Sequence, residues 1–245
     1  MDNSIVGLVL QYAGIISEAA LIVYLARKRL WKRQGVVAFY LGCLLLTELT
    51  RAWVLYANGV RSWRYFYVYW STDFLLVISA FVAVCLFFRR ACMWEEKMWR
   101  YVQLLLPLTL ILVIAISSVI FLHNYHHLPT FFVVEFNQNL YFTCLVLNTL
   151  LYLLLQYIGS TDDQLGLLVC GMGIQFAGPA ATFALVHLTP GEAFARSLGS
   201  TVMRLCTLGA LFVWAYAVMH VRDKEIRISG PDVPVLAGVA ASSNV

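Results

Sequence analysis

Lysine is scarce in this chain, and its placement excludes one chemistry at once. The only lysines are Lys28, Lys32, Lys97 and Lys224, and none lies in a long apolar run. A membrane-embedded Schiff base therefore has no amine to form on. Charge as a whole is thin, at 12% of 245 residues, against roughly a quarter in a soluble domain. Cysteine is placed unhelpfully for cross-links or zinc. Cys43, Cys85, Cys144, Cys170 and Cys206 fall in apolar runs and Cys92 in a basic connection, with no CxxC or Cys/His spacing among them. That leaves no extracellular disulfide framework. HExxH, GxSxG and Walker patterns are missing too, and no nucleophile stands beside a base, so the sequence does not read as an enzyme.

What the chain has instead is apolar length. Hydrophobic residues make up 61%, and the mean hydropathy is +0.78. The excess recurs in blocks of about 20 residues, the length of a helix that crosses a bilayer. The blocks run over 5–26, 36–57, 66–88, 101–122, 131–157, 165–188 and 198–220. The fold class is therefore all-α: a polytopic membrane protein with seven transmembrane helices. Residues 1–228 form the transmembrane domain, and the Pro- and small-residue-rich stretch 229–245 reads as a disordered tail. The first block lacks a basic flank ahead of it and is too long for a cleaved leader.

Basic residues set the orientation. With the N-terminus outside, the inner connections hold Arg27, Lys28, Arg29, Lys32, Arg33, Arg89, Arg90, Lys97, Arg100, Arg222, Lys224 and Arg227. The outer ones hold only Arg61, Arg64 and Arg196. This bias predicts an outside N-terminus and an inside C-terminus. It also accounts for the net charge of +4 without nucleic acid as a partner. The bilayer is the partner implied, in a cell membrane of the bacterial inner-membrane type. The basic inner face, "RKRLWKR" above all, suits anionic lipid or an acidic cytoplasmic partner protein.

Charges inside the spans carry the functional signal. They are Glu18, Glu48, Arg51, Asp73, Glu135 and Arg204. Each costs about 2.5–3.5 kcal/mol or more near a bilayer centre, so each should face a bundle interior or a wet cavity. Glu48 and Arg51 sit three apart on one helical face and can neutralise each other. Arg51, Asp73, Glu135 and Arg204 fall in the outer half, with Asp73 and Arg204 about 10 Å deep by helical rise. Glu18 lies deeper, toward the inner half, where it reads as a coupling group. Four acids against two bases leave a negative excess. A proton, a bound cation or water must balance it.

Other polar segments adjoin these charges. "YFYVYWSTD" (65–73) reads as an interfacial aromatic belt, or as an aromatic wall with a carboxylate at its base, suited to an organic cation. The same stretch resembles the third helix of microbial rhodopsins in its aromatic run and Asp, but span seven lacks their lysine and no function carries over. "EFNQN" (135–139) opens span five as a helix start or a hydrogen-bonding rim. His123, His126 and His127 lie in a solvated connection, and no metal site is assigned to them. In span six, Gly166, Cys170, Gly173, Ala177, Ala180 and Ala184 form a small-residue row for close helix packing, and Gly178-Pro179 predicts a kink.

These readings converge on a small carrier or channel-like binder of a polar solute or cation. Its site comprises Asp73, Arg51, Glu48, Arg204, Glu135 and Glu18, without metal or cofactor. The alternatives are a seven-helix sensory module acting through a cytoplasmic partner, and a structural assembly subunit.

Overall fold

The computed structural model describes residues 2–59, 62–92, 96–123, 129–158, 162–189 and 193–228. They form seven helices and, among the described residues, no strand. The helices are α1 (Asp2–Arg27), α2 (Trp31–Asn58), α3 (Trp63–Ala91), α4 (Glu96–His123), α5 (Pro129–Ile158), α6 (Asp163–Leu188) and α7 (Ala193–Ile228). All seven are long and apolar enough to cross a membrane. Each runs past the apolar block that predicted it, because helical hydrogen bonding continues into polar flanks that hydropathy alone discards. His126, His127 and the tail 229–245 lie outside the described residues.

Helix ends follow local chemistry. Gly59, at φ 75°, closes α2 with its N–H on the Leu55 carbonyl, a backbone angle that glycine adopts without strain. Ser62 then caps α3, its hydroxyl accepting the Arg64 N–H at 3.2 Å. Asp162 caps α6 through the Leu165 N–H at 3.0 Å, and its other oxygen accepts a 2.7 Å bond from Arg90 at the end of α3. The first turn of α2 breaks from helical geometry at Gln34.

Six helices close a ring in which α1, α2, α3, α5, α6 and α7 each pack on the next, and α7 returns to α1. The remaining helix, α4, stands outside that ring and leans mainly on α5. The most extensive pairing joins α6 to α7. Small residues permit it, although not the row expected. A Cβ on Gly171 would stand 2.6 Å from Trp214 Cδ1, and one on Gly178 would stand 2.9 Å from Cys206 Cβ. By contrast Gly166 has nothing within 4 Å, Cys170 is exposed, and Gly173 faces Asn148 of α5. Within the expected row Gly173 serves the close approach to α5, while the contact with α7 uses Gly171 and Gly178. α6 itself runs unbroken through Gly178-Pro179.

Polar side chains tie the helices where apolar packing gains nothing over lipid. Trp214 Nε1 donates to the Leu168 carbonyl at 3.1 Å, and Asn148 Nδ2 to the Val169 carbonyl at 3.0 Å. The half of the bundle nearer the C-terminus is thus filled. Tyr40, Phe87, Leu168, Met172 and Trp214 are all buried there, with Tyr40 edge-on to Trp214.

Candidate functional site

The half nearer the N-terminus is not filled. Helical spacing puts Gln11, Gly14 and Glu18 on one face of α1, and Glu48, Arg51, Ala52 and Leu55 on one face of α2. Tyr65 and Tyr69 do the same on α3, as do Arg204 and Thr207 on α7. These faces enclose a cavity of about 310 Å³. It reaches from Glu18 up to Leu55 and Tyr65, close to the ends of their helices. Four of the six charges singled out in the sequence, Glu18, Glu48, Arg51 and Arg204, line it.

The two arginines behave differently. Arg51 turns away from Glu48 and reaches α3. Its Nε donates to Thr72 Oγ1 at 2.8 Å, and one terminal nitrogen donates to the Tyr69 carbonyl and to Asp73 Oδ1, each at 3.2 Å. Its guanidinium also lies over the Tyr69 ring, 4.3 Å from the centroid, a cation–π contact. Asp73 completes the arrangement by accepting a 2.7 Å bond from Asn137 Nδ2 of α5. Asp73 is only 8% exposed, so this is an ion pair whose remaining carboxylate oxygen is also satisfied, as burial demands. Arg204 makes no ion pair or hydrogen bond among the described residues. Its side chain is one of those that line the cavity.

The acids that α1 and α2 bring to the same cavity also lack an ionic partner among the described residues. Glu48 accepts from Gln11 Nε2 at 3.4 Å and, among the described residues, from no basic group. Glu18 is 2% exposed, and its Oε2 has no hydrogen-bond partner. The Glu48–Arg51 pair that their three-residue spacing allows does not form: each side chain goes to a different helix.

Asp73 is off the cavity lining, behind Arg51. The aromatic wall does exist, as Tyr65 and Tyr69, but the protein's own cation occupies Tyr69. Glu135 is not brought into the group. It sits half-buried at the start of α5, a helix that contributes no lining residue. Three participants escaped a reading based on charge. Gln11 and Thr207 are neutral, and their signal was position, seven residues before Glu18 and three after Arg204. Asn137 lies in "EFNQN", and with Asn139, which donates to Ser117 of α4 at 3.1 Å, it makes that segment an interhelical binder. Among the described residues no group of His, Cys, Asp and Glu is arranged to hold a metal ion.

Comparison with known proteins returns no match: no protein-family model, no curated sequence and no solved structure aligns significantly with this chain.

Proposed function

We propose that the protein binds a small polar solute or cation in the four-helix cavity and carries it across the membrane. The observation behind this reading is the cavity itself, with unpaired Glu18, Glu48 and Arg204 lining one space of about 310 Å³. Unpaired charge at membrane depth is costly and is tolerated facing water or a ligand, not lipid. A merely structural network would pair its members, as Arg51 and Asp73 do. At about 30 Å³ per water, the volume equals about ten waters, which favours a metabolite over a macromolecular segment. In the orientation read from the basic residues, the cavity faces outward and the packed layer of Tyr40 and Trp214 closes the inner side.

Flux measured from proteoliposomes loaded with amino acids, amines, betaines or metal cations tests this. Uptake or release of one class, lost in Glu48→Gln and Arg204→Gln at normal folded yield, supports transport. Binding without flux transfers the site to a sensor, and neither binding nor flux ends the reading. Orientation is checked separately. A reporter active only in the cytoplasm should give signal when fused at Val245 and none when inserted at Asn124.

A further inference from the structure

Resting on that reading of the cavity, we infer that its ligand is a small zwitterion. Its cationic group would stand between Glu18 and Glu48, and its anionic group would meet Arg204. The inference follows from which charges are already committed. Arg51 is held by Thr72, the Tyr69 carbonyl, the Tyr69 ring and Asp73. Its charge is cancelled by Asp73, which Asn137 holds in turn. Arg51 is therefore part of the wall.

What remains is one basic pole and one acidic pole. Arg204 on α7 has no partner among the described residues, Glu18 Oε2 has none, and Glu48 has only a long bond from a neutral amide. Although Arg204 and both acids line the same cavity, no ion pair within 4 Å forms between them. The two poles share one cavity without closing on each other, and they stand on different helices. An anion alone would leave both carboxyls facing unfavourable charge. A cation alone would leave the guanidinium unmatched. A site discriminates most strongly against a ligand that leaves its buried polar groups unpaired. A zwitterion pairs both poles, and its net neutrality leaves one carboxyl of the cavity for a proton or a small cation.

The test uses matched trios on full-length protein in lipid nanodiscs, with binding read by calorimetry and by thermal protection. One trio is 4-aminobutyrate, butylamine and butyrate; the others are standard amino acids with their decarboxylated and deaminated counterparts. At least one zwitterion should bind about tenfold or more tightly than either counterpart. Arg204→Gln should then erase the preference for zwitterion over amine, while Glu48→Gln should erase the preference for zwitterion over acid. Arg204→Lys, which keeps the charge, should restore part of the first preference and guards against simple misfolding. Amines binding as tightly as zwitterions would overturn the inference and leave the cavity a cation site. Acids binding as tightly would overturn it and leave an anion site. If no probe binds to folded protein, both this inference and the cavity's role in binding fall.

Discussion

Helix α3 separates two voids of comparable size and opposite character. Toward α2 it offers Tyr65, Tyr69, Thr72 and Asp73, and the cavity there collects four charged side chains. Toward α4 it offers Phe74, Ile78, Phe81 and Cys85, and the groove of about 460 Å³ there is lined wholly by apolar residues. At 3.6 residues per turn the two sets fall on roughly opposite sides of one helix. The contrast shows how differently empty space is treated in a membrane. An apolar groove beside a peripheral helix is filled by lipid tails at little cost. A polar void must hold water or a ligand, because its charges have nowhere else to be satisfied.

The sharpest way to break the contrast is to strand a charge on the polar side. Asp73→Ala removes the carboxylate from Arg51 and leaves a guanidinium with hydroxyl and carbonyl partners only. Losing one member of a buried pair costs about 3–5 kcal/mol, so folded yield and thermal midpoint in detergent should drop sharply. A midpoint within a degree or two of the parent would show that Arg51 is hydrated where it stands. Next in size is the reverse experiment. Ile78→Asp puts on the lipid-side face the residue type that α3 already carries at position 73, and should cost about 2.5–3.5 kcal/mol through failed insertion or unfolding. Normal stability there would mean that the apolar groove is wet.

A smaller and opposite response is expected from Glu18→Gln. That change replaces a carboxyl lacking a partner at Oε2, so stability should hold or rise by less than about 1 kcal/mol while any ligand binding weakens. A large loss of stability would show that Glu18 is a structural group. The smallest effect belongs to Arg90→Ala at the far end of α3. Its pair with Asp162 is 25% and 35% exposed, and such pairs contribute about 0–1 kcal/mol. A thermal shift larger than that for Asp73→Ala would invert the assignment of the polar centre to the cavity.

The layout of the molecule was legible in the sequence, and the pairing inside it only partly so. Seven apolar blocks gave seven helices because length and hydropathy are properties of a segment by itself. Membrane cost also singled out six charges, of which Glu48, Arg51 and Arg204 line one cavity, joined there by Glu18, which depth alone had set apart in the inner half. Partner choice was not legible. Three residues of separation place Glu48 and Arg51 on one face, yet a long guanidinium side chain reaches the neighbouring helix equally well, and α3 offered Thr72, Tyr69 and Asp73 together. Rotation of a helix about its axis was hidden for a similar reason. The small-residue row of α6 includes Gly173, which meets Asn148 of α5, but it did not reveal that Gly171 makes room for Trp214 of α7. Glu135 looked like a member by depth alone, but the α5 side chain that bonds Asp73 is Asn137.

The four walls of the cavity are not equally anchored. α1 supplies Gln11, Gly14 and Glu18, yet only 17% of its membrane-spanning window is buried, against 56% for α3. Among the described residues its main packing is on α2 and α7. Little packing is lost when such a helix tilts or slides, and segments with few buried contacts open at the lowest free energy. A cavity whose least buried side is a single helix can change its volume without dismantling the bundle. That helix carries the buried Glu18, so any displacement of α1 also lifts that carboxyl out of its desolvated position. Movement of the wall and hydration of the charge are thereby a single degree of freedom.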